Sequence, residues 1–452
     1  MYDQSDERRM TEAPIPALIL SLTLPSVLMM LTTAAYNVAD AFFVSSLGTG
    51  ATGALGCLFP LTAMIQTVGF TLGMGAGSLI SRRLGEQKEE EASALASSAF
   101  FLALLASALL CAAGLVFIRP LTHLLGATEE LFEETVRCVR WLLIAAPLLI
   151  LSFVLSNLLR SEGRTDLALW GMGLGSLLNI ALDPLFIYSL GLGAAGPAAA
   201  SVCSQAAACL LLLLFFRRRR TVLRLRFRQI SRHPADYGSI LLTGLPSLFR
   251  QGLAAVAAIL LNRQAGIYGT EAIAAMGVVN KIFMVFFSVS LGLGQGYQPA
   301  AGYNYGADRP DRLRQALLFT LWIGVALLTL LAALLFWLAE PLLHLFTPDA
   351  SVLAIARPAL RALCLVLPLI PPSTLANLTC QAVGRPWLAS LLAASRQGIF
   401  FLPLILWLPR CLGLTGVQIA QAGADLLTFL SCLPFLIVYL HRLSSIDRAK
   451  PA

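Results

Sequence analysis

The chain has 452 residues, of which 58% are hydrophobic and 12% charged, and its mean hydropathy is +0.78. Soluble domains carry about a quarter charged residues, so this composition excludes an ordinary water-soluble protein and indicates a protein embedded in lipid. No segment alternates in polarity with period two, which excludes a transmembrane β-barrel and favours helices. The nine cysteines lie in apolar runs without a metal-ligand spacing, and we interpret them as packing residues.

Twelve apolar stretches, each long enough to cross about 30 Å of hydrocarbon, follow one another along the chain. We predict spans near residues 15–46, 51–80, 93–118, 136–160, 166–190, 194–216, 236–265, 271–299, 314–338, 354–382, 386–409 and 413–440. The predicted fold is therefore all-α and integral to the membrane. It divides into a tail (1–14), an amino-terminal six-helix lobe (15–216), a basic linker (217–235), a carboxyl-terminal six-helix lobe (236–440) and a second tail (441–452).

The positive charges predict how the chain lies in the membrane. Most of the 32 Lys and Arg residues fall in tails and loops on the side of the N-terminus, and the most basic stretch is 217–232. Because basic loops stay in the cytoplasm, both termini are predicted to be cytoplasmic. The net charge of +8 is then an orientation signal beside anionic lipid headgroups, and we expect no nucleic-acid partner.

The second half of the sequence repeats the first at an offset of 221 residues without a gap. Prolines and glycines coincide at Pro25 and Pro246, Pro147 and Pro368, Gly73 and Gly294, Gly75 and Gly296, and Gly85 and Gly306. An even number of helices per half gives both halves the same orientation, which predicts a pseudo-twofold axis along the membrane normal and a cleft between the lobes. This architecture suits a secondary transporter that works by alternating access.

Two carboxylates inside predicted spans are expected to meet. At roughly 1.5 Å per residue, Asp40 in the first span and Asp183 in the fifth lie at the same depth, and Ser201 in the sixth shares that level. A carboxylate inside the bilayer is costly unless it has a partner or a function. The pair is therefore a candidate functional site.

Other polar side chains surround this pair. Tyr36 and Asn37 precede Asp40 by about one helical turn, and Asn179 precedes Asp183 by one turn. Pro184 should loosen the fifth span. These oxygens suit a Na⁺-like ion or a shared proton, because two nearby carboxylates in a low dielectric cannot both ionise cheaply. A hydrogen-bond network that merely fixes the three spans is the alternative.

The second half carries cations where the first carries acids. The repeat mates of Asp40 and Asp183 are Leu261 and Leu404. Three cations lie inside its spans: Arg250, Lys281 and Arg396.

Asp425 in the last span is the deep acid of this half. Similar depths predict that Asp425 pairs with Lys281, either as a structural salt bridge or as a substrate contact. We predict a substrate cavity lined by Gln205, Arg250, Lys281 and Asp425.

Enzyme motifs are absent from the sequence. The glycine runs 69–77 and 291–296 follow no strand and lack the GK[ST] of a phosphate loop. The histidines lie in loops or at helix ends, without a nucleophile or metal-ligand motif. The sequence predicts no enzyme and no cofactor beyond a coupling H⁺ or Na⁺.

Longer segments resemble a known family. They are LPSVLMMLTTAAYNVADAFFVSSLG (24–48), GMGAGSLISRRLG (73–85), NIALDPLFIYSLGLGAAGPAAAS (179–201), GLPSLFRQ (244–251), YGTEAIAAMGVVNK (268–281) and GLGQGYQPAAGYNYGA (292–307). They resemble the multidrug and toxic compound extrusion (MATE) family, and the later three resemble its MepA-like bacterial branch. The resemblance runs nearly end to end.

The resemblance implies a V-shaped pair of lobes that exports amphipathic, often cationic, small compounds in exchange for H⁺ or Na⁺. It assigns an amino-lobe cation site to Tyr36, Asp40, Asn179, Asp183 and Ser201. Some members have further acids in the seventh and tenth spans, where this sequence has Arg250 and Asn377, so the resemblance does not extend to a second cation site.

We expect a monomeric, cation-coupled efflux antiporter of a bacterial inner membrane, surrounded by lipid. A related flippase of lipid-linked oligosaccharides is the alternative, because such proteins tend to have a more cationic cavity. A major-facilitator carrier is disfavoured, since the loop between the second and third spans lacks a Gly-x-x-x-Asp-Arg element. A membrane-embedded transferase is disfavoured because no acid and base residues cluster at one surface.

Overall fold

The computed structural model describes residues 9–45, 49–126, 129, 132–218 and 220–449, and within them the chain forms helices and no strands. Twelve of its helical segments are long and apolar enough to cross a membrane, as predicted. The ends of both predicted tails, residues 1–8 and 450–452, and the last residue of the first predicted span lie outside this description. The protein is a multi-pass membrane protein.

The helices of the amino-terminal lobe run in order from residue 15 to residue 217. They are α1 (Ile15–Ser45), α2 (Thr49–Gly85), α3 (Glu89–Val116), α4 (Ile118–Leu124), α5 (Phe132–Ser161), α6 (Thr165–Pro184) and α7 (Gly196–Arg217). A π-helical turn, Leu185–Ser189, continues α6. The short helix α4 was not predicted, because seven residues cannot cross a bilayer and leave no signal of that length.

The carboxyl-terminal lobe repeats this order. Its helices are α8 (Pro234–Gly266), α9 (Thr270–Gly306), α10 (Pro310–Trp337), α11 (Ala339–Phe346), α12 (Ala350–Val366), α13 (Ile370–Ala382), α14 (Pro386–Ala394), α15 (Phe401–Leu412) and α16 (Leu414–Ala449). A 3₁₀ turn joins α12 to α13 and a π-helical turn, Ser395–Phe400, joins α14 to α15, so each pair forms one span. The residues predicted as the start of the second tail continue α16 as helix.

The repeat extends to backbone conformation. Helices α2 and α9 begin and end at positions that correspond at the predicted offset. Each is followed by a turn that holds a non-glycine residue in the left-handed region, Gln87 at φ 60° and Asp308 at φ 52°, and these two residues are also repeat mates. Since left-handed backbone is uncommon for such residues, the two turns are copies of one structure.

The lobes meet along a seam that lies toward the face carrying both chain termini, which we call the terminal face. A Cβ added to Gly85 would lie 2.2 Å from the carbonyl oxygen of Tyr303, and a Cβ added to Gly306 would lie 2.2 Å from that of Arg82. Arg82 and Tyr303 are repeat mates, as are the two glycines. The contact between α2 and α9 is therefore made twice, which is the signature of a pseudo-twofold relation.

A second pair of glycines extends this seam. A Cβ added to Gly75 on α2 would lie 2.2 Å from the carbonyl oxygen of Ile240 on α8, and one added to Gly296 on α9 would lie 2.4 Å from the Cα of Thr23 on α1. Small residues at such points let helix backbones approach closely without hydrophobic bulk between them. The glycine runs that superficially resemble phosphate loops are thus the packing surfaces of the two lobes.

The basic linker between the lobes is attached to the amino-terminal lobe. The Ser97 hydroxyl of α3 donates to the carbonyl of Arg224 (3.0 Å) and accepts from the backbone N–H of Arg226 (3.1 Å). The ring of Phe227 lies 3.9 Å from that of Phe101. The linker therefore runs across the terminal end of α3 and holds its arginines at that face.

Candidate functional site

The two deep acids of the amino-terminal lobe are in contact. The carboxyl groups of Asp40 on α1 and Asp183 on α6 lie within hydrogen-bonding reach of each other. Asp183 is completely buried, with 0% of its surface exposed. The depth estimate from sequence thus places together two side chains that are far apart in the chain.

Helix α6 positions the second acid through its irregular end. Pro184 lacks a backbone N–H, and the α-helix changes to the π-helical turn Leu185–Ser189 directly after it. One turn before Asp183, the buried Asn179 donates through Nδ2 to the hydroxyl of Ser201 on α7 (3.3 Å). The predicted link between α6 and α7 is therefore present, and the loosening at Pro184 takes the form of a π-helical turn.

Tyr36 and Asn37 differ in exposure and in their distance from the two acids. Tyr36 is close enough to interact electrostatically with both Asp40 and Asp183. Asn37 is exposed, and its amide donates to the backbone carbonyl of Thr33 (2.8 Å). The side chain of Asn37 also lies within hydrogen-bonding reach of Tyr36, so Asn37 contacts the cluster through Tyr36 and stands at its exposed edge.

The oxygens of this cluster outnumber the donors around it. Both carboxyl oxygens of Asp183, Oδ1 of Asp40 and Oδ1 of Asn179 are buried, and none of them accepts a hydrogen bond from an amide, hydroxyl or basic group of the described residues. Carboxylate and amide oxygens are hard ligands that suit a Na⁺-like ion, and carboxyls in contact can share a proton. The residues present fit either species, and Asp40 and Asp183 would hold it.

The deep acid of the carboxyl-terminal lobe has a different partner from the predicted one. Arg396 donates through Nε to Oδ1 of Asp425 (2.6 Å), and Gln421 donates to the same oxygen (3.0 Å). Arg396 also lies over the ring of Phe287, 4.3 Å from its centroid. The predicted pairing of Lys281 with Asp425 is therefore wrong. Counting residues gives only the depth of a side chain along the membrane normal, and side chains of several helices share one depth. Arg396, on the π-helical turn Ser395–Phe400, is the cation that reaches Asp425.

Lys281 lies on the exposed side of α9. At about 100° per residue it points within about 20° of Gly292 on the same helix. A Cβ on Gly292 would lie 2.6 Å from the Cα of Val27 on α1, so this side of α9 faces the amino-terminal lobe.

Beyond the seam the same side of α9 is open: Lys281 and Met284 are exposed, and nothing lies within 4 Å of a Cβ added to Gly277. We call the space between the lobes at this level the cleft. Lys281 consequently faces the cleft and not Asp425, which lies inside the carboxyl-terminal lobe.

Arg250 on α8 lies at the bottom of the cleft, where the lobes meet. Its guanidinium donates to Oδ1 of Asn377 (3.3 Å), to the hydroxyl of Ser247 (3.3 Å) and to the sulfur of Met74 on α2 (3.3 Å). All three partners are neutral, and its buried Nε has no partner among the described residues. Gln205, also predicted for the cavity, is instead buried between α6 and α7, beside Gly175.

One central residue was missed by the sequence reasoning. Arg160, near the end of α5, is buried and donates to Asn157 and to Gln295 of α9 across the seam. In the sequence, Arg160 at the end of its span cannot be distinguished from the basic residues that orient the chain. The available signal was the polar group of Ser156, Asn157 and Arg160, which follows a predominantly apolar stretch of the same helix, residues 141–155.

The seam at the terminal face is polar as well as tightly packed. Gln298 of α9 donates to the hydroxyl of Ser78 on α2 (2.9 Å) and to Oε1 of Gln381 (3.2 Å). Arg312 donates to the backbone carbonyl of Ala13 (2.6 Å). These bonds, like that between Arg160 and Gln295, lie in the terminal half of the molecule. Along the described chain, no hydrogen bond joins the lobes in the opposite half.

Comparison with known proteins agrees with this architecture. The sequence model of the MatE family matches residues 25–185 and 246–407, two segments that begin one repeat apart. The chain is 29% identical over 352 residues to a FAD transporter of Shewanella oneidensis, covering 77% of this chain and 78% of that protein. It is 25% identical over 433 residues to the multidrug export protein MepA of Staphylococcus aureus, covering 95% of each.

Solved structures are similar over nearly the whole chain. The outward-facing conformation of a multidrug resistance MATE family transporter of the MOP superfamily has a TM-score of 0.91 at 27% identity, covering 97% of this chain and 98% of that one. The flippase alternative is not favoured by these relatives. The chain belongs to the MatE family and is a multi-pass membrane transporter, not an enzyme.

Proposed function

We propose that this protein exports amphipathic organic compounds from a bacterial cytoplasm in exchange for H⁺ or Na⁺, as a monomer in the inner membrane and without a further cofactor. Two kinds of substrate are suggested by its relatives, since one is a multidrug export protein and another a FAD transporter. The observation that carries the proposal is the contact between Asp40 and Asp183 inside a membrane-spanning lobe.

The coupling ion would act through this pair. Two carboxylates in contact repel each other when both are ionised, so a proton or a cation must neutralise them. A ligand shifts a conformational equilibrium only by its difference in affinity for the two states. We infer that the pair binds its ion when the cleft is open to the outside and loses it when the lobes rock. The unpartnered oxygens of Asp183 and Asn179 support this assignment.

The direction of transport follows from the orientation that we propose. With both termini cytoplasmic, the seam through Gly75, Gly85 and Arg160 closes the cytoplasmic side, and the cleft opens outward. Substrate export then requires the seam to open while the opposite halves of the lobes approach each other. The polar contacts of the seam favour reversibility, because those named are single hydrogen bonds and not ion pairs, and each contributes only about 1 to 3 kcal/mol.

Transport into and out of proteoliposomes tests the proposal. A pH gradient and a Na⁺ gradient are imposed separately, and export of an amphipathic dye is followed by fluorescence. We expect one gradient to drive export by the unaltered protein, and Asp40→Asn and Asp183→Asn to abolish this driven export while each variant remains folded. Asn179→Ala, which removes one oxygen and leaves the acids, should weaken the apparent affinity for the ion. Gradient-driven export at undiminished rates by both Asp variants would reduce the cluster to a structural network.

A further inference from the structure

Among the described residues, three cations without an acidic partner lie where the two lobes face each other. Lys281 lies about 16 Å below the outer end of α9 and Arg250 about 24 Å below the outer end of α8, at roughly 1.5 Å per residue. Arg160 follows at the terminal end of α5, on the other side of Met74 from the cleft. The row descends through the thickness of the membrane.

Acids elsewhere in the lobes do not neutralise this row. Asp425 is held by Arg396 and Gln421. Asp183 is completely buried in the amino-terminal lobe, in contact with Asp40. Among the described residues, Lys281, Arg250 and Arg160 take part in no ion pair. A cation inside a membrane protein is costly in free energy unless it is paired. A negatively charged ligand between the lobes would supply the missing partner.

Apolar surface accompanies the cations. Met284, nearly one turn beyond Lys281 on α9, is 46% exposed, and Val285 lies on the same side of the helix. A ligand that contacts both the cations and this apolar surface would place an apolar body against Met284 and Val285 and a negative group beside Lys281. A guanidinium such as that of Arg250 forms strong hydrogen bonds with carboxylate, phosphate or sulfonate oxygens.

We propose that the cleft binds amphipathic organic anions, with Lys281 and Arg250 as the residues that select for negative charge. Arg160 becomes available to the same ligand when the seam opens and its bond to Gln295 is broken. This inference rests on the proposed function, since it takes the cleft as the substrate path. It reverses the charge preference that the family resemblance implies for the substrate.

The test compares two dyes that share a xanthene ring system and differ in charge. Fluorescein is anionic, and a rhodamine ester is cationic. Binding of each dye to purified protein in neutral detergent is measured by fluorescence anisotropy. We expect fluorescein to bind more tightly than the rhodamine ester, with an affinity that falls as salt increases. Lys281→Gln and Arg250→Gln should each weaken fluorescein binding about tenfold, while Lys281→Arg should retain most of it.

A matched control is available on α8. Arg263 is exposed near the outer end of this helix and points to the side opposite Arg250. Arg263→Gln removes the same charge, so we expect it to leave both affinities within twofold of the unaltered protein. Lys281 is exposed, and its neutral variant should fold even if the Arg250 variant does not.

Each outcome has a distinct meaning. Equal or tighter binding of the rhodamine ester, with fluorescein affinity unchanged in Lys281→Gln, would overturn the anion preference. Transport of the same dyes in proteoliposomes then tests the proposed function separately. If fluorescein binds with the predicted dependence on Lys281 but neither dye is moved by either gradient, the proposed coupled export fails while the charge preference of the cleft stands.

Discussion

The two lobes share a scaffold and differ in their charges. Asp40 and Asp183 meet inside the amino-terminal lobe, and their repeat mates Leu261 and Leu404 pack against the apolar core of the carboxyl-terminal lobe. One backbone arrangement therefore holds a pair of acids in one copy and a hydrophobic core in the other. The cations Arg250 and Lys281, conversely, belong to the second copy alone.

The features that the lobes retain are those that the seam requires. Gly75 and Gly296, like Gly85 and Gly306, allow backbones of opposite lobes to approach within van der Waals contact. Both glycines of a pair make the same kind of close approach to the opposite lobe, so both are needed. Side chains away from the seam are not constrained by it and can differ between the lobes. The comparison teaches that the repeat keeps the backbone contacts of the seam in both lobes and lets the other side chains diverge. In our proposal the coupling ion binds in one lobe and the charge of the substrate is selected by the other.

The largest expected effect on stability distinguishes Asp425, which pairs with Arg396, from Asp183, which we propose as part of the coupling site. Asp425→Ala removes the partner of Arg396, a partly buried cation, and should lower the free energy of unfolding by about 3 kcal/mol. Asp183→Asn removes no ion pair and relieves contact between two carboxyl groups, so it should leave that free energy unchanged or raise it. Thermal unfolding in detergent measures both variants.

The double variant Asp425→Ala with Arg396→Met provides the control. Replacing both members of a buried ion pair by apolar groups is often neutral, so this variant should recover most of the lost stability. If Asp183→Asn proves as destabilising as Asp425→Ala, the two acids are not distinguished as we describe.

The second-largest expected effect on stability concerns the close glycine contacts that both lobes make at the seam. Gly75→Ala and Gly296→Ala each place a Cβ within 2.4 Å of the facing helix, and each should cost about 1 to 3 kcal/mol of stability. Because the two positions make the same pseudo-symmetric contact, we expect their costs to be similar. Gly252→Ala on α8 is the matched control, since nothing lies within 4 Å of its added Cβ, and it should raise stability by about 0.5 to 1 kcal/mol. Melting temperatures compare the three variants, and a harmless Gly75→Ala would contradict the seam.

How much of this structure the sequence could predict depends on the kind of information required. Hydropathy and the ungapped repeat predict the twelve spans, and counting residues along a span predicts that Asp40 and Asp183 meet. Depth says nothing of direction around a helix, so the same counting paired Asp425 with Lys281 instead of Arg396. Arg160 was missed because a cation at the end of a span also serves as an orientation signal.

The smallest effect concerns the arginine-rich part of the linker, which is bound to α3 of the amino-terminal lobe. Ser97→Ala removes two hydrogen bonds to the backbone of Arg224 and Arg226 and should cost about 1 kcal/mol. Trypsin should then cleave the arginine-rich linker faster. Ser107→Ala on the same helix is the control, because the Ser107 hydroxyl bonds only to its own helix at Leu104 (3.0 Å). Equal cleavage rates in the two variants would mean that these bonds do not hold the linker.

The most direct test of the central claim, that the coupling ion binds in the amino-terminal lobe alone, is the stabilisation of purified protein by that ion. An ion that binds the folded state raises the melting temperature with its concentration. The melting temperature is measured against Na⁺ at fixed pH and against pH at fixed Na⁺. We predict that the stabilisation by one of these ions is lost in Asp40→Asn and in Asp183→Asn and retained in Asp425→Asn. Loss in Asp425→Asn, with retention in the two amino-lobe variants, would contradict the account.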